Sequence, residues 1–220
     1  MIDALIDKQD NSELIGRKIA DILKAESANQ MALATAAGKD PDQWKLRVFY
    51  ERAHPWEEFL NEDSDKSPIV NVFQDDTNYL MNESDIVANT KAMTVWNVDI
   101  YGYGVSSQDG SGQIRSDQAS ALCRNRGLRL VRNILMAAEY TYLSMRGIVE
   151  QRWPNAVSLF QPQYDNQQMQ SIWSARLSFQ VKYVETSPQI IPVTIESLFT
   201  TFVDADNAEV QLLEIEYDLT

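Results

Sequence analysis

The sequence is poor in the side chains that most catalytic and metal centres use. Its 220 residues include one cysteine, Cys123, and one histidine, His54. A single cysteine excludes an intramolecular disulfide, which suits a reducing cytoplasm. One cysteine and one histidine cannot build a zinc site without carboxylates. We therefore expect neither a metal site nor a cofactor.

Motifs for phosphate binding and for nucleophilic catalysis are also missing. The glycine runs at 101–104 and 109–112 lack both the Gly-x-x-x-x-Gly-Lys spacing and the Gly-x-Gly-x-x-Gly fingerprint. No Gly-x-Ser-x-Gly elbow is present. The acidic run 204–209 lacks the central glycine and the correctly spaced glutamate of a calcium loop, so it is interpreted as a solvated turn. We expect no catalytic residues and a protein that is not an enzyme.

Basic residues and long apolar runs are scarce as well. Lys and Arg number 19 against 32 Asp and Glu, for a formal net charge of −13. A chain this acidic repels phosphate backbones and anionic membrane surfaces. Its apolar runs of a few residues fall far short of the roughly 20 that span a bilayer. Yet 44% of the residues are apolar and 10% aromatic, which is enough for a folded core.

The sequence does contain clear periodicity. Apolar residues at helical spacing predict a first helix from about residue 12 to 28, and Ser116 or Asp117 begins a long second helix that ends near Arg146. Strands are predicted at 46–50, 69–73, 94–105, 156–160 and 174–184, with a break at Trp153-Pro154. The order α-β-β-β-α-β-β predicts an α+β fold. We expect a mainly antiparallel sheet with the two principal helices packed on one face.

Two segments depart from this regular order. Residues 51–68 are acidic and are interpreted as a solvated insertion within a core domain of residues 1–192. In residues 193–220, Leu213 and Ile215 begin an alternation of apolar and acidic positions that continues to Leu219. This C-terminal extension is predicted to be an arm that pairs with a neighbour's sheet edge, or else an ordinary last strand of the same domain.

Charge is unevenly distributed along the chain. Residues 115–152 carry a net charge of +4, which leaves −17 for the remainder. Arginine is enriched at protein interfaces, and a subunit with two oppositely charged surfaces can pack head-to-tail in a ring. We predict an interface that uses a set of second-helix arginines and C-terminal glutamates: Arg124, Arg126, Arg129, Arg132, Glu214 and Glu216.

The arginines are expected to cover the exposed face of that helix. Cys123 is placed on the opposite, apolar face, where a free cysteine behaves as a small, inert hydrophobe. A merely solvated helix face remains an alternative for the arginines. Contact with DNA that passes through the centre of a ring is a third interpretation, and it would have to be local because the net charge opposes it.

The second half of the chain resembles a known family. The resemblance covers residues 94–190 and rests on element order and strand texture in four stretches: 95–101, the helix residues 130–135, 157–160 and 175–181. These stretches resemble the tail terminator proteins of long-tailed bacteriophages, which belong with the neck, or head–tail joining, proteins. The insertion at 51–68 and the extension beyond Pro192 make this chain longer than a minimal member.

The resemblance implies a virion structural protein assembled in the host cytoplasm. It implies a homohexameric ring that caps the tail tube and docks the head-side neck, with tube and connector proteins as partners and no catalytic residues. Three alternatives stay open. They are another tail or baseplate structural protein, a small-molecule enzyme that uses His54 with a carboxylate, and a nucleic-acid-binding module that uses the arginine face.

Overall fold

The computed structural model describes residues 9–61, 65–80, 89–109, 112–164, 167–168, 171–186, 198–203 and 210–215. These residues form α-helices α1 (Asn11–Ala36) and α2 (Ser116–Met136), and short 3-10 helices at Pro41–Trp44, Pro55–Leu60 and Ala138–Tyr140. The strands are β1 (Arg47–Tyr50), β2 (Ile69–Tyr79), β3 (Asn89–Tyr103), β4 (Ser107–Asp109), β5 (Gly112–Ile114), β6 (Val149–Phe160), β7 (Gln163–Tyr164), β8 (Gln167–Gln168), β9 (Ile172–Thr186), β10 (Leu198–Val203) and β11 (Val210–Ile215).

Five strands build the central sheet in the order β1-β2-β3-β9-β6. Only the β1–β2 pair within it is parallel, and the other three pairs are antiparallel. The principal elements follow the chain order α1, β1, β2, β3, α2, β6 and β9. The predicted α+β class, the mainly antiparallel sheet and the α-β-β-β-α-β-β order are therefore confirmed.

Both α-helices pack on the same face of the sheet. In β3, Trp96 and Ile100 point to one side because side chains alternate along a strand. A β-carbon added to Gly16 of α1 would meet the Trp96 ring, and one added to Gly127 of α2 would meet Ile100. A single buried apolar cluster joins residues of α1, α2 and the sheet. The predicted one-sided helix layer is confirmed.

Two glycines bring α2 close to β3. Gly102 lies in β3 and Gly104 just beyond its end, and a β-carbon on either would collide with the α2 backbone. The colliding atoms belong to Ser120 and Arg124 for Gly102, and to Ser120, Ser116 and Ala119 for Gly104. The absence of a side chain at both positions therefore lets the first half of α2 lie directly on the strand.

The segment 51–68 is not the solvated insertion that its acidic composition suggested. Its 3-10 helix buries Trp56 and Phe59, which are 4% and 2% exposed, against the face of the sheet opposite the helices. They join Ile69, Tyr101 and Ile172 in a second apolar cluster. The prediction failed because two aromatic residues three positions apart decide which side of this turn is buried, whatever the charge of its neighbours.

Helix α2 ends ten residues earlier than predicted, at Met136 rather than near Arg146. Ala137 leaves the helical conformation with a ψ of 141°. From β6, Arg152 donates hydrogen bonds to the carbonyl oxygens of Ala137, at 2.7 Å, and of Tyr140. This contact satisfies carbonyl groups just beyond the helix end, which would otherwise need water or a further helical turn.

Other element boundaries also differ from the prediction. Helix α1 continues to Ala36, beyond the predicted end near residue 28, because residues 32–36 include three alanines with high helix propensity. Strand β2 passes the expected stop at Asp75-Asp76 with a register shift between Gln74 and Thr77. Strand β6 runs through Trp153-Pro154, with a shift between Pro154 and Ala156. An edge strand tolerates proline because its outer N–H needs no ladder partner.

The chain divides into two compact units, Met1–Ser187 and Pro188–Thr220. In the second unit, β10 and β11 form a two-stranded antiparallel sheet in which Leu198 lies opposite Ile215 and Val203 opposite Val210. The predicted C-terminal strand therefore falls partly on β11, while its last residues, 216–220, lie outside the described part of the chain.

Candidate functional site

The structure overturns the predicted exposure of Arg124. This arginine is 6% exposed, lies with its guanidinium carbon 5.9 Å from the Trp173 ring centre, and donates to Asn125 Oδ1 from Nε and Nη2 at 3.2 and 2.8 Å. Burial lowers the pKa of its guanidinium. The cause is the close approach at Gly102, which brings the Arg124 position of α2 onto the sheet.

The other three predicted arginines have different environments. Arg126 is half-buried and donates from Nη1 to Oε1 of Gln43 at 2.8 Å. Arg129 and Arg132 are exposed on α2. The exposed part of the predicted arginine face is thus reduced to these two residues, which are too few to neutralise many phosphates.

The predicted C-terminal interface residues are only partly placed. Glu214 lies in β11 opposite Phe199 of β10. Glu216 lies outside the described residues. Their predicted role in a protein interface stays a prediction.

His54 lies at a cleft on the face of the sheet opposite the α-helices. The histidine is exposed, has a left-handed backbone with φ 48° and ψ 49°, and makes an edge-to-face contact with Trp56 at 5.9 Å. The cleft has a volume of about 340 Å³. Its lining comprises Glu51, Arg52, Ala53, His54, Pro55, Trp56, Asn71, Phe73, Asp99 and Tyr101.

The buried carboxylate of this cleft is already paired. Asp99 is 2% exposed and accepts two hydrogen bonds from Arg176, one from Nε to Oδ1 at 2.7 Å and one from Nη2 to Oδ2 at 2.9 Å. The Tyr101 hydroxyl donates to the same carboxylate at 3.2 Å, and burial together with this neighbouring charge raises the pKa of Tyr101. Arg176 in turn stacks on Phe73 and Phe160 at 5.1 and 5.5 Å. The Asp99 carboxylate is therefore occupied by an ion pair within the sheet, with Arg176 of β9.

The histidine and this carboxylate do not form a catalytic pair in the structure. Across the described residues, the His54 imidazole has no hydrogen bond to a carboxylate or hydroxyl group. A general base needs a partner that orients its ring and holds its tautomer. Among the described residues, His54 therefore lacks the orienting partner that a general base of this kind uses.

Cys123 is half-buried on α2, and burial raises the pKa of its thiol. A protonated thiol is a poor nucleophile at neutral pH. The environment matches the predicted role as a small hydrophobe.

Within the described ranges, no three His, Cys, Asp or Glu side chains converge on a point that could hold a metal ion. No helix there is long and apolar enough to cross a membrane. The acidic run 204–209 lies outside those ranges.

Strand β6 carries two exposed aliphatic side chains, a feature that the sequence interpretation missed. Five consecutive strand residues, 155–159, are exposed, and Val157 and Leu159 keep 49% and 59% of their surface. They lie opposite the buried Leu177 and Ala175 of β9, so they continue the helix-facing side of the sheet beyond the cover of α2. The signal in the sequence was the run 153–160, which contains no charged residue.

A scan against models of protein families finds none that matches the chain, and a search of curated proteins finds no matching sequence. We therefore infer function from the chain's own surfaces. Three stand out: the cleft at His54, the two exposed arginines of α2, Arg129 and Arg132, and the uncovered edge at β6.

Proposed function

We propose that this protein is a ring-forming structural subunit of a bacteriophage tail or neck, of the tail terminator type. The observation that carries the proposal is the contrast in charge between the C-terminal unit and the segment 115–152. The unit Pro188–Thr220 contains seven acidic residues and no lysine or arginine, whereas residues 115–152 carry a net charge of +4 within a first unit that is acidic as a whole. A chain with two complementary surfaces can assemble head-to-tail, and such contacts form a ring where the rotation between copies closes.

The fold supports the same proposal. The element order that prompted the resemblance to tail terminators is the order found in the structure, with a mainly antiparallel sheet and both α-helices on one face. In this role the ring occupies the last surface of the tail tube and offers its other side to the neck. Tube subunits and connector proteins are then the partners, and the virion is the location.

The proposal is tested by native mass spectrometry over a range of concentrations, with negative-stain imaging of the same samples. We expect ring-shaped oligomers, six subunits being the number that the resemblance implies. The double variant Arg129→Glu with Arg132→Glu should weaken assembly and make it less salt-sensitive, because it removes the exposed cations of α2. The matched control is Lys24→Glu, an exposed charge reversal on α1. A strictly monomeric chain, alone and with tail-tube subunits, would overturn the proposal.

One observation favours a second candidate, a small-molecule enzyme. The cleft places His54 beside Glu51, Asp99 and Tyr101. Substitution His54→Ala separates the two candidates, because assembly is expected to be unchanged. Loss of a measurable turnover in the variant, with intact rings, would assign a catalytic role to the cleft.

A further inference from the structure

Strand β6 ends the central sheet with an edge that no other strand of the described residues covers. Within that part of the chain, its outer N–H and C=O groups have no strand partner and are open to a further strand. The exposed run 155–159 shows that the helix layer stops short of this part of the strand, and that the opposite layer does too. The edge is thus accessible along its outer side and on both faces.

This edge also lacks the usual protection against strand addition. Natural edge strands carry lysine or other charges, are short, or are covered. Residues 153–160 contain no charge, and their only such device is Pro154 with its adjoining register shift. Val157 and Leu159, beyond that shift, present apolar side chains that a further strand would cover. An edge of this kind is a template for pairing with another strand.

The C-terminal unit of a second copy has the matching properties. Its β10–β11 sheet has two strands, and two strands alone are at best marginally stable in water. Strand β11 pairs with β10 along one edge and has a second edge of its own. From Leu213 to Leu219 the sequence alternates apolar and acidic residues, the pattern of a strand with one face against a core and one face in solvent.

Charge supports the same pairing. The donor unit contains acidic residues and no basic ones. The acceptor strand β6 begins with one acidic and one basic residue, Glu150 and Arg152, and the exposed Arg146 lies three residues before it in the positively charged segment 115–152. Attraction between this acidic donor and the positively charged segment 115–152, to which the first residues of β6 belong, favours the encounter.

We propose that the outer edge of β6 receives β11 of a neighbouring copy, so that each subunit's sheet continues into the C-terminal unit of the next. This inference rests on the proposed function only in requiring that subunits assemble. It names the acceptor as residues 155–160 and the donor as the acidic strand. A head-to-tail donor and acceptor on different surfaces build a ring if the rotation between copies closes.

Cross-linking between two differently labelled chains tests the pairing directly. In a Cys123→Ser background, Leu159→Cys serves as the acceptor and Leu213→Cys as the donor, on separate chains of distinguishable mass. A bismaleimide that spans roughly 8 Å reaches direct and diagonal neighbours on adjacent strands. We expect a covalent dimer of one acceptor and one donor chain. The control acceptor is Leu122→Cys, which is 56% exposed on α2 and should give little product.

A chain that carries both cysteines separates pairing between copies from pairing within one chain. Pairing between copies yields a ladder of covalent oligomers, while pairing within a chain yields cross-linked monomer. Cross-linked monomer alone, or equal product with Leu122→Cys, overturns the inference.

A second measurement introduces a charged residue into the β6 edge and follows the dissociation constant of the assembly. Leu159→Lys should raise the dissociation constant of the assembly at least about tenfold, because strand addition would bury the new ammonium group beside apolar neighbours. The control Leu33→Lys changes a leucine that is 57% exposed on α1 and should leave assembly unchanged. Rings that persist with Leu159→Lys retain the proposed function and reject the β6 edge as its interface. A wild-type chain that never assembles rejects both.

Discussion

The two edges of the central sheet are built in opposite ways. Strand β1 closes one side with four residues, Arg47–Tyr50, each of them half-buried. Strand β6 closes the other with twelve residues, Val149–Phe160, of which five in a row are exposed. One edge is therefore short and covered, and the other is long and open. A short, covered edge resists the addition of a further strand, whereas a long, open edge permits it.

The β1 edge is covered by the segment that follows it. Glu58 in the 3-10 helix bridges Arg47 of β1 at 2.7 Å and Arg52 at 2.6 Å. Lys66 then donates to the carbonyl oxygens of Phe59 and Asn61 at 3.0 and 2.7 Å. These contacts tie the 3-10 helix to β1 through Glu58, while its aromatic residues pack on the face of the sheet. No comparable segment covers 155–159 of β6 among the described residues.

Removal of a buried aromatic ring from the 3-10 helix that follows β1 should produce the largest loss of stability. Substitution Phe59→Ala is expected to lower the free energy of unfolding by about 3–5 kcal/mol, because it deletes a fully buried ring and leaves a cavity. Urea denaturation measures the change. The matched control is Leu60→Ala, where the leucine is 47% exposed and the loss should stay within about 0.5 kcal/mol. Equal losses for the two variants would contradict the buried position of Phe59.

Acid should have the second-largest effect on the closed edge, by lowering the free energy of unfolding through Asp65. Burial alone would raise the pKa of Asp65, but hydrogen bonds from Lys45 and Ser67 overcome that effect and hold it at about 2. Because the folded pKa lies below the unfolded one, this carboxylate stabilises the fold above about pH 4, and the contribution is lost as the pH falls towards 2. Asp65 is partly exposed, so solvent screening limits the contribution to about 1 kcal/mol.

Urea titrations between pH 2 and pH 7 measure this dependence. The variant Asp65→Asn cannot ionise, so its stability curve should be flatter than the wild-type curve over the acid range. The control is Asp21→Asn, which changes an exposed carboxylate in the middle of α1, and its curve should stay as steep as the wild-type curve. An Asp65→Asn curve as steep as wild type would assign the acid sensitivity to other groups.

Much of the fold was predictable because its signals are local. The alternation in β9 follows directly from the burial of one face, in which Leu177, Phe179 and Val181 are at most 1% exposed. In this strand the determining residues are adjacent in sequence.

The failures share a different cause, which is contact between distant segments. The end of α2 depends on Arg152 from another strand, although the sequence after Met136 is rich in helix formers. The burial of Arg124 depends on Gly102, and that of Trp56 on the sheet face above it. No periodicity within these segments carries that information. The open edge of β6 required the strand order, because the same uncharged run in a central strand would be ordinary core.

The smallest expected effect on stability belongs to the open edge, and it gives the sharpest comparison. Val157→Thr should change the free energy of unfolding of the monomer by no more than about 0.5 kcal/mol, because the valine is 49% exposed and the new hydroxyl stays in water. Val72→Thr makes the same substitution in β2, where the valine is fully buried, and should cost about 1–3 kcal/mol because the hydroxyl loses water without gaining a partner. Urea denaturation at low protein concentration measures both. Equal losses would mean that Val157 is covered within a single chain, and the edge would then have no surface left for a neighbour.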